Sequence, residues 1–197
     1  VEGMIKKLYR WVTGLADRPY GGWALCAISF AESSFFPVPP DVLQIPLTLG
    51  RPNRAFFYAF LSLIFSVLGG VFGYYIGFGL MEVIGKKIIS FYHLEESFDY
   101  VGRLYNEYAG WAVAIAGFTP IPYKVFTISA GAFRISMVVF IIASIIGRGA
   151  RFFLVATLLF FFGERADRFI YNHLNKLAIA FVILFIAGWI IIERLMR

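Results

Sequence analysis

Five ionisable residues lie inside segments that are otherwise apolar: Glu32, Asp41, Lys124, Arg148 and Arg151. At the centre of a bilayer each would cost roughly 2.5–3.5 kcal/mol on insertion scales, so such residues face a bundle interior or an aqueous cavity and are functional candidates by default. Ser144, Arg148 and Arg151 follow the i, i+4, i+7 spacing that places them on one helix face. Two guanidinium forks on one face suit a phosphate, since each can bind two of its oxygens. With Lys124 these residues form a candidate phosphate-binding set. Glu32 and Asp41 do not suit an anion while ionised. A dry cavity favours the neutral form of a carboxyl group, which makes both candidates for proton coupling. The plainer alternative is internal salt bridging, Asp41 with Lys124 and Glu32 with an arginine, because paired charges also hold bundles together. The two readings are compatible, because a pair can open to admit a ligand.

The elements that must position these residues are apolar and helical. The chain has 197 residues, of which 60% are hydrophobic and 15% charged. A soluble domain would be nearer half apolar and a quarter charged. This balance excludes a soluble enzyme, a disordered chain and a disulfide-stapled domain. Eighteen basic against 12 acidic residues give a net charge of +6, which in so apolar a chain points to flanks facing anionic headgroups. Cys26 is the single cysteine, so no internal disulfide forms. No secretory cleavage pattern is visible, and the apolar runs are read as resident structure.

Residues 1–18 form an amphipathic pattern, with Met4, Leu8, Trp11 and Leu15 opposite Lys6, Lys7 and Arg10. This predicts a helix on the membrane surface, the alternative being a packed helix of a soluble part. Residues 55–80 carry no charge and are long enough to span. Gly69, Gly73 and Gly77 within them have the small-xxx-small spacing of close helix contact. Further spans are predicted over 137–162 and 177–192. Residues 81–108 alternate apolar positions by three and four, as an amphipathic connector does. Two further apolar segments are broken by proline into halves too short to cross singly. Residues 23–49 hold Pro37, Pro39 and Pro40, and residues 111–133 hold Pro120 and Pro122. Proline removes a backbone donor and breaks the helical pattern. Each segment reads as two half-helices meeting at a proline corner, a re-entrant hairpin, the alternative being one kinked span.

The two segments form a repeat. Pro37-Val38-Pro39 aligns with Pro120-Ile121-Pro122 at an offset of 83, which also pairs Asp41 with Lys124 and Arg51 with Arg134. Gly22-Trp23-Ala24 aligns with Gly110-Trp111-Ala112. Each copy, 20–80 and 109–162, is a hairpin followed by a span. A re-entrant hairpin makes no net crossing, so the second copy is inverted, whereas true spans in place of the hairpins would make the repeats parallel. The expected fold is an all-α integral membrane protein: an inverted repeat of re-entrant helical hairpin plus transmembrane helix, with an N-terminal amphipathic helix and a C-terminal transmembrane helix. In this topology nine Lys and Arg fall on the side of the N-terminus and six on the other, a bias for the N-terminus inside.

Glu32-Ser33-Ser34-Phe35-Phe36-Pro37-Val38-Pro39-Pro40-Asp41 resembles the E-x4-P-x-P-[small]-[DE] pattern of the DedA family, also called the VTT or SNARE-associated Golgi protein family, and most closely its small YqaA-like branch. Phe118-Thr119-Pro120, followed by Ala130-Gly131, Arg134, Phe140, Ser144 and Gly147, is similar to the family's second hairpin and following span. The resemblance covers roughly residues 20–160. It implies re-entrant hairpins in inverted repeat. It also implies translocation of lipids across the bacterial inner membrane, either polyprenyl phosphates such as undecaprenyl phosphate or phospholipids, with protons as the coupling ion. The family pattern carries arginines where this chain has Gly117 and Tyr123, with Lys124 one position further on. Arg148 and Arg151 stand where other members carry uncharged residues, so basic charge is transferred from hairpin to span.

The function expected is a flippase- or scramblase-like translocase for a phosphate-bearing lipid, multi-pass in the bacterial inner (cytoplasmic) membrane. Its partners would be membrane lipids, an anionic phosphate headgroup and protons, and a homo-oligomer is compatible with the sequence. Two rivals stand beside it: a proton-coupled carrier or channel for a small soluble anion, and a non-transporting membrane scaffold. No nucleophile elbow, phosphate-binding glycine loop or Cys/His metal spacing appears, so no enzyme activity, cofactor or metal is expected. A basic, aromatic-interleaved soluble surface for nucleic acid is also lacking.

Overall fold

A computed structural model describes residues 20–36, 39–93, 95–119 and 121–163, and all regular elements among them are helical. The expected surface helix at 1–18 and span at 177–192 lie outside the described residues, as do Pro37 and Pro120. Helix α1 is Gly21–Ser34 and α2 is Asp41–Gly50. A 3-10 turn, Pro52–Arg54, leads into α3, Ala55–Leu80. A π-helical turn, Met81–Gly85, joins α3 to the short α4, Lys86–Phe91. Then follow α5, Glu95–Phe118, α6, Tyr123–Ala132, and α7, Met137–Gly163.

The sequence explains most of these boundaries. The backbone N–H groups of Phe35 and Phe36 both bond Ala31 O, closing α1 before the prolines. Pro40 caps α2, its carbonyl accepting from Leu43 and Gln44 N–H at 2.9 and 2.8 Å. Two boundaries differ from expectation. The uncharged span at 55–80 belongs to a continuous helical stretch of 40 residues, Pro52–Phe91. The expected connector, 81–108, is divided: its first part, to Phe91, continues α3, and its last part opens α5, which runs unbroken past Trp111, the expected start of the second hairpin. No proline interrupts Glu95–Phe118, and a lone mid-helix glycine such as Gly110 costs only about 1 kcal/mol.

Polarity is arranged inside out. Ser29, Ser33, Ser34, Gln44, Thr48, Ser62, Ser66, Thr127 and Ser144 are wholly buried. Phe57, Phe60, Leu68, Phe72 and Tyr75 of α3, and Val138, Ile142, Ile146, Leu154 and Phe161 of α7, face outward. Water would not tolerate that surface in a monomer, while a bilayer requires it. The stretch Pro52–Phe91 and helix α7 are long and apolar enough to cross a membrane. This is a membrane protein.

Helices α3 and α7 are antiparallel neighbours. Ala55 and Ala59 at the start of α3 pack with Phe152 and Ala156 near the end of α7. At the other end, the Tyr74 ring packs on Phe140 and its hydroxyl donates to Ile135 O at 2.8 Å. Helix α1 lies along α3, with Leu25 against Tyr58 and the Ser34 hydroxyl donating to Gly69 O at 2.9 Å. The chain then turns back, because Gly22 and Cys26 of α1 line one cavity with Arg51, which follows α2. The second broken segment behaves alike. Helix α6 ends at Phe133, which returns to stack on Phe98 and Tyr105 of α5.

Glycines let these helices touch backbone to backbone. A Cβ at Gly69 would stand 2.1 Å from Phe30 O, at Gly77 1.9 Å from Ile128 O, and at Gly147 2.2 Å from Ala114 O. The small-residue stripe of α3 therefore serves two neighbours, α1 and α6. Gly77→Ala must push α6 away, which should destabilise the protein by about 1–3 kcal/mol. Gly79→Ala meets nothing within 4 Å and should stay within about 0.5 kcal/mol of the parent. Thermal unfolding of both variants in one detergent measures the difference.

Candidate functional site

The two corners reach the middle of the long helices. Ser33, just before the first corner, shares a hydrogen bond of 2.7 Å with Ser66, the twelfth residue of α3. Thr119, at the second corner, accepts a hydrogen bond of 2.9 Å from Arg151 Nη1 of α7. At 1.5 Å rise per residue, Ser66 lies about 16 Å along α3 from its first residue.

Four of the five charges found in apolar segments meet here as two ion pairs. Arg148 Nη2 lies 2.5 Å from Glu32 Oε2, with the two side chains only 3% and 14% exposed. Arg148 Nε donates to Ser66 Oγ at 2.6 Å, and Nη2 also reaches Ser33 Oγ at 3.3 Å. The guanidinium carbon lies 4.8 Å from the ring centres of both Tyr123 and Phe152. Carboxylate, two hydroxyls and two aromatic faces replace the solvation that burial removes from the cation. Arg151 pairs with Asp41 through Nη2 and Oδ2, less deeply buried. Asp41 opens α2, where the helix N-terminus favours negative charge. Its Oδ1 is buried and has no partner among the described residues.

The expected pair of Asp41 with Lys124 does not form. Repeat symmetry aligns the two residues, but Arg151 sits at the depth where α2 begins and takes the carboxylate. Lys124 is half-buried, and its side chain has no ion-pair or hydrogen-bond partner among the described residues. Ser144 is occupied, accepting from Tyr123 OH at 2.5 Å and donating to Phe140 O at 2.6 Å. Arg148 and Arg151 are thus brought together with Glu32 and Asp41, while Lys124 stands apart from both pairs. Pro40 and Pro122 cap α2 and α6.

Ser33, Ser66, Tyr123 and Thr119 complete the site and were not singled out by spacing. The only signal for the serines is polarity within apolar helices. Tyr123 is marked by adjacency to the second corner and by standing where the resembling pattern carries an arginine. No group of three or more His, Cys, Asp and Glu able to hold a metal is found among the described residues.

Residues 34–161 match the family model of the VTT domain. The chain is similar to an uncharacterized protein of Haemophilus influenzae, 34% identical over 170 residues, which cover 86% of this chain and 88% of that protein. It is also similar to an uncharacterized protein of Histophilus somni, 31% identical over 158 residues, covering 80% and 82% of the two chains. No solved structure matches.

Proposed function

The chain belongs to the VTT-domain, or DedA, family, which is linked to membrane transport, and we propose that it translocates a phosphate-bearing lipid, polyprenyl phosphate or phospholipid, across the bacterial inner membrane. The observation that carries this reading is the double arginine–carboxylate lock that fastens the first proline corner to α7, with Arg151 also holding the second through Thr119 O. A phosphate and a carboxylate compete for the same guanidinium fork. When Glu32 or Asp41 takes up a proton, its ion pair dissolves and the arginine becomes available to the headgroup. Phosphate binding in turn favours proton uptake, because coupling between sites is reciprocal. Lys124 supplies a third cation beside the second corner, and the tail stays in lipid.

In this reading the broken segments are re-entrant hairpins of an inverted repeat. Three features support it: the return of α2 to the start of α1, the return of α6 along α5, and the antiparallel course of α3 and α7.

Complete pairing of four charges also favours a second reading, a scaffold in which the pairs only hold helices together. Reconstituted liposomes separate the possibilities. The translocase should expose a labelled lipid headgroup to a membrane-impermeant reagent and pass no radiolabelled inorganic phosphate. Phosphate flux without lipid movement identifies a soluble-anion carrier, and neither signal identifies a scaffold.

The coupling carries its own sign. Headgroup binding should strengthen as pH falls, because protons displace the carboxylates from the arginines. Glu32→Gln/Asp41→Asn should bind headgroup with a flat pH profile. A wild-type affinity independent of pH would remove protons from the mechanism.

A further inference from the structure

We propose that Arg51 and Arg54 dock the phosphate of a membrane lipid in a separate cavity, at the end of the bundle where α3 begins. This cavity of about 300 Å³ is lined by both arginines, by Trp23 and Cys26 of α1, and by an apolar strip of α3. Its arginines lie about 18 Å or more along the helix from Ser66, its apolar strip runs toward the central ion pairs, and it shares none of their residues.

Its chemistry is amphiphilic in the right order. The two arginines flank one tight turn. Pro52 starts that turn, and Arg54 N–H bonds Arg51 O at 2.9 Å. Neither guanidinium has an ion-pair or hydrogen-bond partner among the described residues. Phe57, Leu61 and Phe65 follow at i, i+4 and i+8, a continuous stripe that runs from the arginines about 12 Å toward the middle of α3. A phosphate held by two guanidinium forks, with a hydrocarbon chain laid along that stripe, satisfies both halves of the surface. A free phosphate would leave the apolar stripe unused, so the occupant is a lipid.

The repeat gives the site a counterpart and a contrast. Arg134, aligned with Arg51, lines a larger cavity at the far end of the long helix, with Arg103, Glu95 and Asp99. There Arg134 is already paired with Glu82, and the two other acids oppose an anion. The docking site is therefore assigned to the Arg51 end alone.

The ligand class rests on the lipid reading above, but the test reads binding rather than movement. In the full chain, Trp11, Trp111 and Trp189 are replaced by Phe, leaving Trp23 as the only tryptophan. In detergent micelles, phosphatidic acid with brominated acyl chains should quench Trp23 saturably, and equally brominated diacylglycerol should not. Arg51→Gln/Arg54→Gln, at solvent-accessible positions, should weaken the quenching at least tenfold. Glu32→Leu/Arg148→Met should leave it unchanged, so failed translocation and failed docking are told apart. Equal quenching by diacylglycerol, or unchanged saturation in the Arg51/Arg54 variant, would overturn the proposal. Full displacement by inorganic phosphate at matched concentration would overturn the lipid as occupant.

Discussion

Replacing Arg148 with methionine should destabilise the protein by about 3–5 kcal/mol, the range for removing one partner of a buried ion pair. The side chain is 3% exposed and touches Glu32, Ser66, Ser33, Tyr123 and Phe152. Methionine keeps the apolar stem and places a sulfur between the two rings, a favourable contact. What it cannot do is pair with Glu32, whose carboxyl loses its cation in a largely buried site. Ser33 and Ser66 still satisfy each other at 2.7 Å, so the cost comes from the orphaned carboxylate. Adding Glu32→Leu should restore most of the lost stability, because buried pairs exchanged for apolar residues of similar volume are often neutral or better. Thermal unfolding in detergent of wild type, both single variants and the double variant closes the cycle. A single Arg148→Met variant as stable as wild type would mean that the pair is open in solution.

The charged residues were visible in the sequence because each contradicts its surroundings. Glu32 and Arg148 stand out for that reason, and so does the pairing of Glu32 with an arginine. The choice of partner for Asp41 was not visible. An offset of 83 aligns Asp41 with Lys124 as repeat equivalents, but equivalence in a repeat does not fix contact. Contact depends on the depth at which α7 presents Arg151, which the packing of Gly147 against Ala114 helps to set. Helix α3 was legible to its first residue, since an uncharged run bounded by Arg51, Pro52 and Arg54 leaves little choice. The continuity of α5 across Gly110 was not legible. Gly110-Trp111 resembles the start of the first segment, but no proline stands before it, and α5 continues through it from Glu95 to Phe118. The serine pair Ser33–Ser66 was unreadable, because a lone serine in an apolar helix most often bonds its own backbone.

The second large effect separates holding the bundle from moving a ligand. If the arginines trade a carboxylate for a lipid phosphate, the Glu32→Leu/Arg148→Met variant should be well folded yet slow. Hydrogen bonds to a charged group are worth about 1.5–3 kcal/mol. At 1.4 kcal/mol per factor of ten, losing the Arg148 contacts in the loaded state slows translocation roughly 10–100-fold. A scaffold predicts the opposite pattern, with stability the only property that responds to the pair. The direct measurement is the rate at which a labelled phospholipid headgroup becomes accessible in proteoliposomes, compared between wild type and this variant at matched folded protein. A loss of tenfold or more with stability retained is the predicted result. An unchanged rate would contradict the exchange of carboxylate for phosphate at Arg148.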